Sequence, residues 1–303
     1  MPRKAIAIVG PTASGKTALA IRLAERLAVN AEAISADSRQ VYRGMDIGTA
    51  KPTEDERRRL PHHLVDISTP DEPFSLAAWL NLANQALSVV WEQGGIPLIV
   101  GGTGQYVWAL LEGWRVPQVP PQAEMRVKME ERPVDDLLEE LRQIDPATHA
   151  VIQPQNARRI IRALEVYYAT GKAFSEWQVK DPRAFEWLAL GLRWDRDRLY
   201  ERIDERVNAM MTAGFLDEVG GLLKQGYGRE LPSMSSIGYG EMCAHLAGEI
   251  DLHEATQRTK TGTHRLARHQ NAWFKAGDER IHWIDAGDVD QAVILVQGFL
   301  ANA

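Results

Sequence analysis

The chain of 303 residues is 45% hydrophobic and 25% charged, which is typical of a globular protein with a real core and excludes a disordered chain. Its single cysteine, Cys243, excludes a disulfide framework and a thiolate metal cluster, and favours a reducing cytoplasm as the location. We expect no signal peptide and no membrane span, and the net charge of −6 gives no general indication of nucleic-acid binding.

The N-terminal stretch predicts a phosphate-binding loop between a strand and a helix. Ala5–Val9 is an apolar run typical of a buried strand, and Ala18–Leu27 has apolar residues at helical spacing. Between them lies Gly10-Pro11-Thr12-Ala13-Ser14-Gly15-Lys16-Thr17. In this context the backbone N–H groups surround phosphates, Lys16 adds a cation, and the Thr17 hydroxyl is placed to bind Mg²⁺. We therefore predict that a phosphate or diphosphate group binds here.

Strands and helices alternate from this loop to about Thr103. The predicted elements after the loop are strands at Ala31–Ser35, Leu64–Ile67 and Ile96–Val100, and a helix at Phe74–Trp91 with Ser75 as its N-cap. This alternation predicts an α/β fold, namely a P-loop NTPase-like parallel sheet flanked by helices.

A helical insertion is predicted in the middle of the chain. The proline-rich segment Val116–Pro121 indicates a stiff linker, and no strand pattern follows it before about Arg183. We interpret residues 121–183 as a helical insertion domain, and residues 1–120 with 184–303 as the core domain. The predicted elements after the linker are helices Glu124–Arg132, Val134–Ile144 and Asn156–Thr170 with Gly171 as C-cap, strand Trp187–Leu192, helices Asp197–Met211, Leu216–Lys224, Tyr239–Leu246 and His253–Lys275, and edge strand Ile281–Ile284.

Two predicted strands are followed directly by polar residues that should face the phosphate-binding loop. These are Asp37 and Thr103, because functional residues of such sheets lie at the carboxyl ends of the strands. The Asp37 carboxylate has three possible roles: binding Mg²⁺ through water, acting as a general base, or capping a turn. Ser38-Arg39-Gln40 is typical of recognition of a planar polar group such as a base edge. The Gly-rich stretch Arg43–Pro52 is either a surface loop or a wall of a second substrate site.

Two basic segments stand out despite the acidic total. Arg158, Arg159 and Arg162 lie on one predicted helix, and Ala255–Ala276 contains five Lys/Arg and no Asp or Glu. Such runs are either solvated helix faces or polyanion surfaces, and the complete absence of acids over Ala255–Ala276 favours the second interpretation for that segment. Arg206 either contacts a diphosphate or forms an ion pair, and its sequence context slightly favours the ion pair.

Together these motifs resemble the tRNA dimethylallyltransferase family, also called bacterial tRNA isopentenylpyrophosphate transferases. The matching motifs follow the family order over nearly the whole chain. They are Gly10–Thr17, Asp37–Tyr42 with Gly44–Pro52, Pro61–Ile67, Gly101–Gly104, Arg159–Val166 and Ile237–Tyr239.

The resemblance implies transfer of a dimethylallyl group from dimethylallyl diphosphate to N6 of adenine 37 in the anticodon loop of tRNA, with release of diphosphate. It implies that Asp37 is the general base and that Thr103 is oriented towards the same site. It implies that Lys16 and Arg206, with Mg²⁺ as cofactor, bind the diphosphate on a loop of the ATP-binding type. The expected partners are tRNA and dimethylallyl diphosphate without a membrane, and the expected state is a cytoplasmic monomer.

The resemblance also assigns residues to tRNA contact. They are Asp37, Ser38, Arg39, Gln40, Thr103, Arg126, Arg158, Arg159, Ile160, Ile161, Arg162, Ser235, Ser236, Ile237, Gly238, Tyr239, Gly240, Arg268, His269, Gln270 and Lys275. The chain departs from the family pattern Lys-Arg-Gln in the last segment, because His269 replaces a permanent cation.

Three other activities fit parts of this pattern. They are a P-loop kinase of small molecules, a prenyltransferase acting on free adenine nucleotides, and a nucleotide- and RNA-binding module without catalysis. The transfer of label from dimethylallyl diphosphate into unmodified tRNA separates all of them.

Overall fold

The computed structural model describes residues 3–301 of the chain. The strands are β1 (Lys4–Val9), β2 (Ala31–Ser35), β3 (His62–His63), β4 (Ile96–Gly101), β5 (Glu186–Arg193) and β6 (Ile281–Asp285). The helices are α1 (Lys16–Leu27), α2 (Glu54–Arg59), α3 (Leu76–Glu92), α4 (Gly104–Leu111), α5 (Ala123–Glu130), α6 (Val134–Ile144), α7 (Pro146–Val151), α8 (Ala157–Thr170), α9 (Arg196–Thr212), α10 (Phe215–Lys224), α11 (Tyr239–Leu246), α12 (Leu252–Trp273) and α13 (Val289–Ala301), with a short 3₁₀ helix at Phe174–Trp177.

The six strands form one parallel sheet with the order β3-β2-β4-β1-β5-β6. In its centre Ile8 of β1 pairs with Val100 of β4 and with Leu190 of β5. Apolar side chains from α1 and α13 complete the core around these strands. Parallel strands covered by helices read as continuous apolar runs, which is why this part of the fold is visible in the sequence. The predicted α/β fold is confirmed.

One predicted strand is wrong. Leu64–Ile67 is not a strand, and only His62 and His63 pair with β2. Leu64 and Asp66 have φ angles of 62° and 58°, which are left-handed and incompatible with a strand. The Asp66 carboxylate accepts hydrogen bonds from Lys51 and from Arg57, and these contacts fix the turn.

Three core helices have no counterpart in the sequence prediction: α2, α4 and α13. Helix α2 carries charged residues at every position, so it has no apolar period. Its stability comes from a capping box, in which the Thr53 hydroxyl accepts the Glu56 N–H and the Glu56 carboxylate accepts the Thr53 N–H. The Thr-x-x-Glu spacing was the available signal.

The described residues form two compact units. The first contains the residues up to Phe74, Trp79–Leu111, and the residues from Arg183 onward, and it holds the sheet. The second contains Ser75–Ala78 and Glu112–Pro182, whereas the predicted insertion domain spans residues 121–183. It consists mainly of helices α5–α8 around their own apolar cluster. No helix in the described part of the chain combines the length and apolarity needed to cross a membrane.

Candidate active site

The residues Gly10–Gly15 form a tight loop between β1 and α1 at the carboxyl edge of the sheet, and Lys16 and Thr17 begin α1. Gly15 has φ 91° at the helix N-terminus, a conformation that glycine adopts without strain. The Ser14 hydroxyl is buried and has no hydrogen-bond partner among the described residues. A buried, unsatisfied donor in a loop of backbone N–H groups fits an anionic ligand.

Two side chains that are distant in the sequence donate hydrogen bonds to backbone carbonyl groups of this loop. Trp194, directly after β5, donates its Nε1–H to the Ser14 carbonyl at 3.0 Å. Arg202 of α9 donates its Nε–H to the Ala13 carbonyl at 3.1 Å and lies 4.6 Å from the centre of the Trp194 ring. These contacts hold the loop in one conformation before any ligand binds.

Two half-buried cations lie beside the loop without a carboxylate partner. Lys16 Nζ donates to the Pro11 carbonyl at 2.8 Å, and neither Lys16 nor Arg206 forms an ion pair with any described residue. Burial lowers the pKa of Lys16 to about 8, Arg206 lowers it as well, and Asp37 opposes them. The ion pair favoured for Arg206 is therefore absent within residues 3–301, and the two cations are placed to bind a polyanion.

Asp37 and Thr103 lie next to each other after β2 and β4. The Asp37 Oδ1 atom accepts the N–H groups of Arg39 at 2.8 Å and Gln40 at 3.3 Å, so this carboxylate caps a turn. The Thr103 hydroxyl accepts the Ser38 N–H at 3.2 Å. The Asp37 Oδ2 atom accepts no hydrogen bond from a described residue, so one carboxylate oxygen is left for a substrate or a metal-bound water. The turn-capping role is therefore observed, and it leaves this oxygen available for either of the two chemical roles.

The Gly-rich loop after this turn is anchored by one carboxylate. Glu218 of α10 accepts three consecutive N–H groups, from Asp46 at 2.9 Å, Ile47 at 2.7 Å and Gly48 at 3.2 Å. It also accepts the Tyr239 hydroxyl at 2.6 Å. The Gln40 side chain donates to backbone carbonyls in the next turn of the same loop. The Gln40 amide therefore has a structural role here.

The available oxygen atoms suit a magnesium ion that depends on a bound ligand. The Thr17 hydroxyl forms no hydrogen bond to a described residue, and the Asp37 Oδ2 atom is also unpartnered. No group of three or more His, Cys, Asp or Glu side chains in residues 3–301 is arranged to hold a metal. Mg²⁺ is characteristically held by one or two protein oxygens together with water and substrate phosphates, so these residues fit it.

The residues assigned to tRNA contact divide by burial. Ile160 and Ile161 lie in the apolar cluster of the second unit, while Ser236 and Tyr239 are buried in the first. These four side chains are enclosed by protein, and their assigned contact with tRNA stays a prediction. The exposed members are Arg158, Arg159, Ser235, Arg268, His269 and Lys275, and Ser38, Arg39, Ile237 and Gly240 are partly exposed. Gly238 is buried beneath Phe215.

Arg126 and Arg162 hold a buried carboxylate in the second unit. Arg126 donates two hydrogen bonds to Glu165, both at 2.8 Å, and Arg162 donates to Glu165 and to the Val119 carbonyl. The Glu165 side chain is fully buried. Burial opposes its ionisation, but hydrogen bonds from Arg126, from the Gln122 N–H and from Arg162 prevail and lower its pKa to about 2. The structure thus gives both arginines a stabilising role.

The sequence did not predict two residues that position the phosphate-binding loop, Trp194 and Arg202. Trp194 follows β5 directly, the same kind of position that pointed to Asp37 and Thr103, so its place at a strand end was a usable signal. Arg202 was visible only as a neighbour of Arg206 on one helical face. Its contact with the Ala13 carbonyl depends on how α9 packs on the loop, and this packing has no local sequence signal.

The parallel sheet with a glycine-rich loop at its carboxyl edge defines an α/β protein with a P-loop-like fold. The family model described as IPP transferase matches residues 40–277. This chain belongs to that family, as its motifs predicted.

Named relatives and solved structures agree with this assignment. A tRNA dimethylallyltransferase of Roseiflexus sp. strain RS-1 is 52% identical over 274 residues, 89% of each chain. The crystal structure of full-length tRNA isopentenylpyrophosphate transferase from Bacillus halodurans has 39% identity and a TM-score of 0.71, and the match covers 99% of this chain and 96% of that one. A eukaryotic dimethylallyltransferase acting on tRNA has 28% identity and a TM-score of 0.85, covering 99% and 80%.

Proposed function

We propose that this protein transfers a dimethylallyl group from dimethylallyl diphosphate to N6 of adenine 37 in the anticodon loop of tRNA, releasing diphosphate. The relatives named tRNA dimethylallyltransferase support this function. One structural observation carries the proposal: a carboxylate oxygen without a partner lies beside two cations without carboxylate partners. An alkyl transfer with an anionic leaving group needs these two features side by side.

Each feature has a chemical role in this reaction. The bond between the allylic carbon and the diphosphate oxygen breaks, and Lys16, Arg206 and the loop N–H groups neutralise the departing charge. The N6 nitrogen forms the new bond to carbon, and its proton moves to the free oxygen of Asp37. General base catalysis of this kind contributes about 10²–10⁴-fold. Thr103 holds the Asp37 turn through the Ser38 N–H.

The same residues support a magnesium cofactor and a nucleic-acid acceptor. The Thr17 hydroxyl, with water and the diphosphate oxygens, would hold Mg²⁺, which would supply further positive charge to the diphosphate. Adenine in a stacked anticodon loop is inaccessible, so the base must be extruded to reach Asp37. The monomeric state, the cytoplasmic location and the binding of ATP stay predictions.

Label transfer tests the proposal directly. Incubation with radiolabelled dimethylallyl diphosphate and unmodified tRNA should place label in tRNA, and Asp37→Asn should slow this transfer by about 10²–10⁴-fold. Asparagine still caps the turn through its side-chain oxygen, so tRNA affinity should change less than about twofold. The matched control is Asp217→Asn, on the exposed surface of α10.

Three results would contradict the proposal. Label appearing only in AMP or ATP would indicate a prenyltransferase of free nucleotides. Transfer of the γ-phosphate of ATP would indicate a kinase. Loss of tRNA binding in Asp37→Asn, in parallel with activity, would make Asp37 a binding residue rather than the base.

A further inference from the structure

Gln270 of α12 lies between the two loops that form the candidate active site. Its side chain is buried, and its Oε1 atom accepts the Thr12 N–H at 2.7 Å. Its Nε2 atom lies against Gly102, because a Cβ atom built on Gly102 would be only 2.2 Å from it. Gly102 immediately precedes Thr103. One side chain therefore contacts both the phosphate-binding loop and the loop that presents Thr103.

The neighbours of Gln270 on α12 face the other way. Arg268 and His269 are exposed, whereas Ala267 is buried in the apolar cluster that contains Ala13 of the phosphate-binding loop. Positions three apart on a helix share a face, and consecutive positions do not. Gln270 thus belongs to the loop-facing side of α12 with Ala267, although it stands in a segment assigned to tRNA contact.

The Thr12 N–H belongs to the same peptide group as the Pro11 carbonyl, which accepts Lys16 Nζ at 2.8 Å. Gln270 and Lys16 therefore hold one peptide plane from its two ends. Without the Gln270 acceptor, rotation of this peptide plane would move the carbonyl that fixes the Lys16 ammonium group. Gln270 is therefore linked to the Lys16 ammonium group through this one peptide group.

We propose that Gln270 is a positioning residue of the prenyl-donor site rather than a tRNA contact. It orients the Pro11–Thr12 peptide group, and thereby Lys16, for the diphosphate of the donor. This assignment rests on the proposed function, in which the diphosphate binds at Gly10–Thr17. It predicts that neighbouring residues of α12 serve different substrates: Gln270 the donor, and His269 the tRNA.

The test compares Gln270→Met with His269→Ala in the full-length protein. Methionine matches the length of glutamine but accepts no strong hydrogen bond, so a peptide-group contact is lost. We expect Gln270→Met to weaken binding of inorganic diphosphate with Mg²⁺, measured by calorimetry without tRNA, by about 5–10-fold. The KM for dimethylallyl diphosphate should rise by the same factor, and the KM for tRNA should stay within about twofold. His269→Ala should show the reverse, with unchanged diphosphate binding.

A second variant reaches the same contact from the opposite side. Gly102→Ala places a Cβ atom where the Gln270 amide now lies, so the side chain must leave Thr12. It should reproduce the weaker diphosphate binding of Gln270→Met, and the double variant should bind no more weakly than the weaker single variant. Thermal unfolding checks that each variant is folded, and Gly102→Ala decides the question if Gln270→Met does not fold.

Two outcomes overturn the assignment in distinguishable ways. If wild-type protein binds diphosphate and both Gln270→Met and Gly102→Ala bind it equally well, Gln270 does not position the donor site. A raised KM for tRNA alone in Gln270→Met would return it to the tRNA surface. If the wild-type protein itself binds no diphosphate, the donor site of the proposed function is wrong, and the role of Gln270 fails with it.

Discussion

The phosphate-binding loop and helix α8 both concentrate positive charge, but they use it differently. Beside the loop, Lys16 and Arg206 are half-buried and have no carboxylate partner among the described residues. On α8, Arg162 shares the fully buried Glu165 with Arg126. A basic cluster is available to an external anion only where no internal carboxylate already satisfies it.

The two regions also differ in the free energy of their charged groups when no ligand is bound. A half-buried cation without a partner costs free energy in the ligand-free protein, and the low pKa of Lys16 reflects that cost. The cost is offset when an anion binds. A buried ion pair has the opposite character, because removal of one partner leaves the other charge uncompensated. A bound anion would therefore stabilise the charges beside the loop, whereas the ion pairs of Glu165 stabilise the fold itself.

The largest effect should follow from Lys16→Met. It should lower kcat/KM for dimethylallyl diphosphate by about 10²–10³-fold, since one preorganised donor to the leaving group is lost. It should also raise the melting temperature of the donor-free protein, because the charge that burial disfavours is gone. Lys224→Met, at an exposed position of α10, is the control. If Lys16→Met has an unchanged melting temperature and full activity, the charge of Lys16 neither destabilises the donor-free protein nor contributes to the reaction.

Glu165→Gln should lower the free energy of unfolding by about 2 kcal/mol, less than for a fully buried pair because both arginines are partly exposed. Chemical denaturation measures it. The pKa of Glu165 is about 2 in the folded protein, below its unfolded value, so its contribution is present above pH ~4.3 and is lost as the pH falls towards 2.

Glu139→Gln is the matched control within the same unit. Glu139 also has a pKa lowered to about 2, through hydrogen bonds from Arg142 and Gln143, but it is exposed. Glu139→Gln should lower the free energy of unfolding clearly less than Glu165→Gln, because solvent screens exposed ion pairs. Equal losses for the two variants would contradict the structural role given to Glu165.

Some elements of the fold could be predicted from the sequence and others could not, and the difference has a physical cause. Strands β1, β4 and β5 are buried on both faces, so their apolar runs are visible locally. Leu64–Ile67 has a similar composition, but Lys51 and Arg57 bind Asp66 and impose a turn that no local pattern shows. Residues separated in sequence decide this element.

The same reasoning applies to the candidate site. The spacing of Gly10–Thr17 predicts the loop because the motif encodes backbone geometry. Motif resemblance locates the segments around Arg162 and Gln270 but not the direction of each side chain. Glu165 turns Arg162 inward, and the Thr12 N–H does the same for Gln270. These partners become known only from tertiary packing.

The titration of Lys16 should make donor binding depend on pH. Lys16 is charged below pH ~8 in the free protein, and a bound diphosphate favours the charged form. Donor affinity should therefore be highest below pH 8 and fall by up to about tenfold per pH unit above it. Calorimetric titration with inorganic diphosphate from pH 7 to 9.5 measures this, with Lys16→Arg as the reference that cancels titration of the ligand itself. Identical profiles for the two proteins would refute the role of Lys16.

The smallest expected effect distinguishes two arginines of α8: Arg159, which is exposed, and Arg162, which binds Glu165. Arg159 is exposed and forms no ion pair with a described residue, so Arg159→Ala should leave thermal stability unchanged. It should weaken tRNA binding about 3–5-fold and reduce the slope of log affinity against log salt by about 0.7–0.9, as the loss of one phosphate contact does. Arg162→Ala should instead lower stability through Glu165, with any change in tRNA affinity secondary to it. Filter binding across a salt series, together with thermal unfolding of both variants, distinguishes them. A reduced salt slope for Arg162→Ala at unchanged stability would mean that Arg162 leaves Glu165 to bind phosphate, and that α8 resembles the phosphate-binding loop after all.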